Sequence, residues 1–545
     1  MKLRYLLCGL LIAPMVQAQS PTDSIVQAIG TRARHNYELP DPKPFAEGIR
    51  AEDAKILLEK LASKEMQGRE TGEEGQRKAA DYIAEQFKAA GLPAVGDRNT
   101  YFQNIQLRNT SWTDIGLKVE DQEFKNRSDF YVYPGYNPDK PFISFKEIVF
   151  VGYGIDDPAY SDYDKADVEG KAVIFYEGEP ELANGKFVIS GEPRRSGWSM
   201  DWKRKVQVAK QKGAVMAFII DPKFEENLKS NKKLLSTYGW RTVGVEEDKI
   251  AESFLNNIFI SAGLAKIILG NKSDKADAAI AELREGKKSK AVKVKSKIEV
   301  RLDKESKELR GSNVIGFIEG TDPELKNEYV FITAHYDHLG SPDSTVIYYG
   351  ADDNASGTSG VIEIARAFTE AKAKGVGPKR SVVCMLVSGE EKGLLGSKFY
   401  VDFPLFPLKK TVADVNIDMI GRTDERHPGN GHYIYVIGSD RLSTDLHYIN
   451  ELSNSTYTKL ELDYKYNAKD DPNHYYERSD HYNFAERGIP SIFYFSGTHP
   501  DYHRPTDTAD KINYQALAKR AQLAFYTAWD IANRPGRLRV DVSNK

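Results

Sequence analysis

The segment RSVVCMLVSGEEKGLLGS, residues 380–397, places an apolar run directly before two adjacent acids. Val382 to Val387 are continuously apolar, which is typical of a strand buried on both faces of a parallel sheet. Glu390 and Glu391 follow at the carboxyl end of this strand, where open α/β sheets bind their ligands. The segment therefore predicts an α/β sheet, and its two acids belong either to a solvated loop or to a chemical site.

The C-terminal part of the chain repeats this strand pattern in alternation with helices. Short apolar runs predict strands at 327–334, 380–388, 411–418 and 489–495, and longer patterns predict helices at 356–375 and 512–533. Such alternation is typical of a sheet with helices on both faces. We therefore expect an α/β fold with a mostly parallel mixed sheet over residues 311–535.

The middle of the chain has a different pattern and predicts a separate module. Short strands and turns dominate from about 100 to 265, and residues 291–302 alternate apolar with mostly basic side chains, as in a half-buried strand. No aromatic residues interleave with the basic ones, which disfavours a nucleic-acid surface. We expect a β-rich insertion with connecting strands at 101–310, an N-terminal lead-in with the first helices at 19–100, and a polar tail at 536–545.

The N-terminus has the features of an export signal. Lys2 and Arg4 precede a short apolar run, and residues 16–18 fit the small-residue cleavage pattern, so we expect a signal peptide at 1–18. Cys8 leaves lipid attachment open as an alternative. The sequence contains no second long apolar run, so we expect no integral membrane segment after signal removal. The predicted location is therefore periplasmic or secreted.

The charge and the cysteines narrow the possible chemistry. The net charge of −3 favours neither nucleic acids nor anionic membranes as partners. After removal of the signal, Cys384 is the one cysteine in the sequence, so an intrachain disulfide is excluded. Its place inside an apolar strand indicates a small core residue and not a nucleophile.

Polar side chains that suit metal binding follow several of the predicted strands. Besides the two adjacent glutamates, they are His335, Asp337, Asp352, Asp353, Asp418, Asp501, Tyr502 and His503. Because the carboxyl ends of parallel strands meet at one edge of a sheet, we expect these side chains to converge. Imidazole and carboxylate ligands suit zinc. Their number suits two metal ions that share a bridging carboxylate.

Six motifs taken together resemble those of the M28 family of di-zinc aminopeptidases. They are HYDH (335–338), GADDNASG (350–357), SGEEKGLLGS (388–397), NIDMIG (416–421), ERSDHYNFAERGIPSIFYFSG (477–497) and YHRPTDT (502–508). Their order and spacing match along roughly residues 50–98 and 310–535, and the block at 100–265 resembles the protease-associated (PA) domain that many members carry. The resemblance implies a fold of the zinc-dependent exopeptidase type with an inserted PA-like domain.

The resemblance also implies a role for each candidate residue. One zinc ion would be held by His335 and Asp418, the other by Glu391 and His503, and Asp353 rather than Asp352 would bridge them. Asp337 would support the imidazole of His335, Glu390 would be the general base, and Tyr502 would stabilise the oxyanion.

The implied function is that of an exported aminopeptidase that removes N-terminal residues from peptides or proteins with a zinc-activated water. Two zinc ions are the expected cofactors, with cobalt or manganese as alternatives. A carboxypeptidase or a glutaminyl cyclase on the same scaffold is an alternative function, and a non-catalytic binding protein is a further one. The sequence predicts neither the preferred N-terminal residue, nor the role of the PA-like block, nor the oligomeric state.

Overall fold

The computed structural model describes residues 38–133, 136–138, 142–230, 235, 238–242, 254–288, 290–342 and 345–542. The described residues form two compact units. The first falls within Met1–Glu70, Glu74–Gln103 and Asn313–Lys545, and the second within Thr71–Glu73 and Asn104–Ser312. The expected signal peptide at 1–18 lies outside the described residues.

The first unit is built on a mixed sheet. Across it, the strands follow the order Glu461–Asp463, Tyr433–Ile437, Ser491–Phe495, Thr411–Ile417, Tyr329–His335, Ser381–Val387 and Val292–Ile318, the last of which contributes residues 314–318. The pairings of Tyr433–Ile437 with Ser491–Phe495 and of Val292–Ile318 with Ser381–Val387 are antiparallel, and the others are parallel. The prediction of a mostly parallel mixed sheet is confirmed.

Helices cover both faces of this sheet, as predicted. Along the central strand Val330 and Ile332 face one hydrophobic cluster, whereas Phe331 faces another. The first cluster takes side chains from the helices Ala51–Leu61, Glu74–Ala89, Gly357–Ala373, Thr444–Ser453 and Tyr514–Asn533, and the second from Leu395–Asp402 and His481–Glu486. Burial on both faces explains the continuous apolar run at 382–387. Cys384 is fully buried in the first cluster, which confirms it as a core residue.

Two parts of the first unit differ from the expected pattern. The strand Tyr433–Ile437 has no counterpart among the predicted strands; it extends the sheet and runs antiparallel to Ser491–Phe495. The N-terminal lead-in also contributes to the core, because Phe45 and Ala46 of the short helix Lys43–Ala46 are buried. No helix within the described ranges is both long enough and apolar enough to cross a membrane.

The second unit is also built from strands and helices. Its strands follow the order Val292–Ile318 (through residues 292–301), Phe142–Phe150, Ala172–Tyr176, Met216–Ile220, Asn256–Ile260 and Phe130–Tyr131. Its helices are Gly197–Met200, Trp202–Gln211, Phe224–Ser230, Ala262–Leu269 and Ser273–Arg284. The remaining strands are Phe102–Val119, Gln122–Phe124, Tyr238–Thr242, Asp156–Asp157 and Tyr160–Ser161. The inner strands, from Phe142–Phe150 to Asn256–Ile260, run parallel. The insertion is therefore rich in strands but also contains helices, as an α/β unit does. Its assignment as a PA-like domain stays a prediction.

Candidate metal centre

Neighbouring strands of the first unit present acids and an imidazole at one edge of the sheet. His335 ends the central strand and pairs with Val387, which ends the next strand. Glu390 and Glu391 follow that second strand, and Asp418 follows the parallel strand on the other side. The parallel register therefore brings these side chains to the same edge, where the sequence predicts a site.

Asp353 lies between two sets of possible ligands. Its Oδ1 is 3.4 Å from Nε2 of His335, and its Oδ2 is 3.0 Å from Nε2 of His503. Because its two oxygens face two different imidazoles, this carboxylate is positioned to bridge two ions.

The neighbouring acid, Asp352, has other partners. Its Oδ1 accepts the backbone N–H of Gly421 at 2.6 Å, and its Oδ2 lies 3.3 Å from Nε2 of His499. The backbone N–H groups of Asp352 and Asp353 both donate to the carboxylate of Asp507. These contacts fix the turn that carries both acids and leave Asp353 as the one that faces the two imidazoles.

We call His335, Asp353 and Asp418 the first donor group. Nε2 of His335 is 3.3 Å from Oδ1 of Asp418, close to its distance from Asp353. Ligand atoms on one tetrahedral ion lie about 3.3–3.6 Å apart when the bonds are about 2.0–2.2 Å long. Oε2 of Glu390 is farther from Nε2 of His335, at 4.0 Å. The imidazole of His335 thus lies between the carboxylates of Asp353 and Asp418, and Glu390 clusters with His335 and Asp418.

We call Asp353, Glu391 and His503 the second donor group. Nε2 of His503 is 3.0 Å from Oδ2 of Asp353 and 3.1 Å from Oε1 of Glu391. A further imidazole, that of His338, also lies against these two carboxylate oxygens. The predicted ligands therefore come together in two groups that share Asp353.

The donor atoms of this centre fit bound cations. Oδ2 of Asp353 and Oε1 of Glu391 are buried, yet neither makes a hydrogen bond within the described part of the chain. Buried carboxylate oxygens that lack donors are costly unless a cation compensates them. The mixture of imidazole and carboxylate ligands suits zinc. The residues present therefore fit two zinc ions.

Asp337 contacts two parts of the centre. Nδ1 of His335 lies 3.1 Å from the backbone oxygen of Asp337 and 3.7 Å from its carboxylate Oδ1. The same Oδ1 accepts the backbone N–H of Glu390 at 3.2 Å. The closer support of the imidazole thus comes from the main chain, and the role predicted for the Asp337 carboxylate stays a prediction.

The two adjacent glutamates have different environments. Burial raises the pKa of Glu390 well above its usual range; the imidazole of His335 opposes this and the charge of Glu391 adds to it. Burial and the charge of Asp353 also oppose ionisation of Glu391, but the imidazoles of His338 and His503 outweigh them and lower its pKa to about 2. Neighbouring acids whose pKa values are pushed apart suit different tasks.

Tyr502 lies at the mouth of the centre. Its ring stacks on that of His503 with the centroids 3.8 Å apart, and its hydroxyl oxygen accepts a hydrogen bond from Arg478 at 3.3 Å. Burial, with the charges of Asp353 and Glu391, raises the pKa of Tyr502 above its usual value, so the hydroxyl keeps its proton. A protonated hydroxyl in this position can act as a hydrogen-bond donor.

A cleft opens beside the first donor group. Apart from residues of the centre, its lining consists of Met419, Tyr475, Arg478, Phe493, Phe495 and Thr498. Most of this wall is apolar or aromatic, which is the usual character of a small-molecule pocket. The aromatic-rich segment 463–484 contributes Tyr475 and Arg478 to this wall.

Three residues of this centre received no role from the sequence. His338 and Arg478 lie within quoted motifs, so their types were visible, but motif position does not show which way a side chain points. Arg69 is buried and donates to the backbone oxygens of Tyr336 and Gly350, in the segments that carry the ligands. No local pattern around Arg69 indicates this long-range contact.

The mostly parallel α/β sheet, with imidazole and carboxylate groups at the carboxyl ends of its strands, defines a candidate metalloenzyme of the α/β class. Residues 313–528 match the family model described as Peptidase family M28. The predicted resemblance is confirmed.

Curated relatives match a similar share of the chain. Aminopeptidase YwaD of Bacillus subtilis is 29% identical over 228 residues, which cover 40% of this chain and 45% of that protein. A probable leucine aminopeptidase of Arthroderma otae is 29% identical over 216 residues, covering 38% and 56%. A probable zinc metalloprotease of Pyricularia oryzae is 26% identical over 270 residues, covering 42% and 51%. The chain thus spans about half the length of these relatives.

A solved structure shares the fold over a longer range. The aminopeptidase from Aneurinibacillus sp. strain AM-1 aligns with 92% of this chain and 98% of its own, with a TM-score of 0.53 and 21% sequence identity. This comparison supports the α/β fold predicted from the sequence.

Proposed function

We propose that the protein is an exported, two-zinc aminopeptidase that removes N-terminal residues from peptides or proteins. The observation that carries the proposal is the pair of donor groups on either side of Asp353, inside a domain of peptidase family M28. Curated relatives named as aminopeptidases support the class of substrate, and the probable zinc metalloprotease supports the metal. The predicted signal peptide at 1–18 supports export.

The two donor groups would hold the ions. His335, Asp353 and Asp418 would hold one ion, and Asp353, Glu391 and His503 the other. When bound, such ions polarise a scissile carbonyl group and lower the pKa of a water molecule.

Glu390 would be the general base. Its side chain is 13% exposed, and its Oε2 lies 4.0 Å from Nε2 of His335, beside the first donor group. It would take a proton from the attacking water and pass it to the departing amine. The hydrogen bond from its backbone N–H to Asp337 supports this placement, because it fixes the main chain at the base.

Tyr502 would stabilise the oxyanion. Arg478 donates to the hydroxyl oxygen of Tyr502, so the hydroxyl proton can point toward the substrate. A hydrogen-bond donor held in place before the reaction stabilises the negative charge that develops on the carbonyl oxygen.

The charge and shape of the centre favour an N-terminal residue as the group that binds. The carboxylates of Asp353, Glu390 and Asp418 all lie within 4.0 Å of Nε2 of His335, and a free N-terminal amine would bind beside the ions and these acids. The apolar cleft wall that contains Phe493 and Phe495 suits an apolar first side chain. We therefore expect free amines to be preferred over blocked ones.

Matched substrates test the class of reaction. Leucine anilide, N-acetyl-leucine anilide and an N-acetylated peptide with a free C-terminus would be assayed before chelation, after chelation and after zinc is added back. We expect hydrolysis of leucine anilide alone, loss of that activity on chelation and its recovery with zinc.

Other results would overturn parts of this proposal. Release of C-terminal residues from the acetylated peptide would indicate a carboxypeptidase. Cyclisation of an N-terminal glutamine without anilide hydrolysis would indicate a glutaminyl cyclase. Full activity in protein shown by elemental analysis to be free of metal would contradict the metal-dependent mechanism.

A further inference from the structure

A second imidazole faces the second donor group, although the predicted ligand set does not include it. The side chain of His338 is 0% exposed, whereas that of His503 is 26% exposed. Nδ1 of His338 is 3.0 Å from Oε1 of Glu391 and 3.7 Å from Oδ2 of Asp353. The same two oxygens lie 3.1 and 3.0 Å from Nε2 of His503.

These short separations are not hydrogen bonds. Both ring nitrogens of His338 and the two carboxylate oxygens are buried, and none of them has a hydrogen-bond partner within the described part of the chain. Nothing else in that part of the chain therefore uses this imidazole as a donor or acceptor. The imidazole nitrogen and the two carboxylate oxygens therefore lie close together without hydrogen bonds, as ligands of one metal ion do.

The spacing of the four atoms also fits a single ion. Bonds of about 2.0–2.2 Å in a tetrahedral site place ligand atoms about 3.3–3.6 Å apart. The separations from Nδ1 of His338 and Nε2 of His503 to the two oxygens are 3.0, 3.7, 3.0 and 3.1 Å. These values lie on both sides of the tetrahedral spacing and within about half an ångström of it.

The surrounding backbone holds the ring of His338 in this orientation. A β-carbon on Gly350 would lie 2.5 Å from ring atoms of His338, so the ring packs directly on the glycine backbone. The buried guanidinium of Arg69 donates to the backbone oxygens of Tyr336 and Gly350, on both sides of the ring in the sequence. The backbone N–H of His338 donates to the carbonyl oxygen of Arg69. The ring is thus fixed before any ion binds.

We propose that Nδ1 of His338 is a fourth protein ligand of the ion held by the second donor group. This inference rests on the proposed function, because it requires that the centre binds two ions. The second site is then closed by His338, Asp353, Glu391 and His503. The first site keeps three protein ligands and an open position beside Glu390, as catalytic sites do. The two ions therefore differ in how readily they exchange, and the second is retained longer.

Zinc binding by variants of His338 tests this assignment. Zinc content and affinity would be measured by elemental analysis and by competition with a chelator, for the wild type, His338→Ala and His338→Phe. Phenylalanine fills the ring position without offering a ligand atom. Loss of a residue that only supports a ligand lowers metal affinity about 10–100-fold. Loss of a direct ligand should cost at least about 100-fold at one of the two sites, while the other site keeps its zinc.

His481→Asn is the matched control. His481 is equally buried and packs against Tyr476 and Phe493 instead of carboxylates. The control should keep both zinc ions with wild-type affinity. If folded His338→Ala and His338→Phe also keep both ions with wild-type affinity, the inference is wrong while the proposed function stands. If the wild type binds no metal, both are wrong.

X-ray absorption of the wild-type zinc protein gives a second test that does not depend on a variant folding. Imidazole rings give a characteristic scattering pattern, from which the average number of histidine ligands per ion is obtained. We expect three imidazoles shared by the two ions. Two imidazoles shared by two ions would exclude His338 as a ligand.

Discussion

Both compact units place acids after buried parallel strands, but the surroundings of these acids differ. In the second unit Asp221 directly follows a strand, and its carboxylate accepts hydrogen bonds from the hydroxyl of Tyr131 at 2.8 Å and from the side chain of Asn227 at 3.0 Å. Glu179 follows the neighbouring strand and accepts hydrogen bonds from the hydroxyls of Ser196 and Ser199. These acids have donors from their own unit.

In the first unit the corresponding acids have oxygens without such donors. Oδ2 of Asp353 and Oε1 of Glu391 are buried without a hydrogen bond among the described residues, and imidazoles approach them instead. Because both units follow the same strand-end pattern, the pattern alone does not indicate a metal site. The difference shows that an acid at a strand end becomes a candidate ligand when the fold leaves its oxygens without donors and supplies imidazoles.

Replacement of Glu390 by glutamine should give the largest effect and tests the division of roles between the two adjacent acids of the first unit. Glutamine keeps the shape of the side chain but does not accept the proton, so kcat should fall by about 10²–10⁴-fold. Zinc content should stay at the wild-type value, because the proposed ligands of both ions remain when Glu390 is replaced. Rates on leucine anilide and elemental analysis of the same sample measure the two quantities.

Glu391→Gln is the matched comparison for this variant. It removes a carboxylate of the second donor group, so zinc should be lost together with activity. Near wild-type kcat in Glu390→Gln would exclude this residue as the base. Loss of zinc from Glu390→Gln would place it among the ligands, and the two adjacent acids would then no longer differ in role.

Much of the peptidase fold could be predicted because its central strands are buried on both faces. Burial on both faces requires an apolar residue at every position, and the run at 382–387 shows this requirement directly in the sequence. The strand Tyr433–Ile437 was missed, since its antiparallel pairing with Ser491–Phe495 depends on contacts between segments far apart in the chain.

The ligand types could also be predicted, because they stand at strand ends and in motifs. The position of His338 was visible in the motif at 335–338, but its direction depends on Arg69 and Gly350, which contact its segment from elsewhere in the chain. Sequence spacing gives which residues approach the sheet edge. It does not predict which of their atoms lack hydrogen bonds, and this property distinguishes the acids of the first unit from those of the second.

Replacement of Asp221 by asparagine should have an intermediate effect and tests the acids that have donors. Both oxygens of Asp221 accept hydrogen bonds, so the amide NH₂ of asparagine faces a donor in either orientation. Loss of a buried hydrogen bond of this kind costs about 1–3 kcal/mol of the free energy of unfolding. Zinc content and kcat should not change.

Tryptophan fluorescence during denaturation by urea measures the stability of the second unit. All tryptophans other than Trp529 lie within its range of the sequence. Asp121→Asn is the control, because Asp121 is exposed, and it should leave the unfolding transition unchanged. A loss of zinc in Asp221→Asn with no change in this transition would contradict the distinction between the two sets of acids.

Replacement of Lys205, in the second unit, should give the smallest effect, which is a change in how stability depends on pH. Its ammonium is fully buried and donates to the backbone oxygens of Tyr176 and Gly178. Burial lowers the pKa of Lys205 to about 8 from 10.5, although Asp162 and Glu177 partly oppose this change. The folded state therefore releases the proton at a lower pH than the unfolded state does.

This difference fixes the sign of the pH effect. The cost of burying the ammonium is fully present below about pH 8 and decreases as the pH rises toward 10.5, so the free energy of unfolding should increase by about 1 kcal/mol between about pH 7 and 9. Lys205→Met has no titrating group and should lack this increase, measured as the difference between the two proteins in urea denaturation at each pH. Parallel pH profiles would mean that the nearby acids, Asp162 and Glu177, fully compensate the buried ammonium of Lys205.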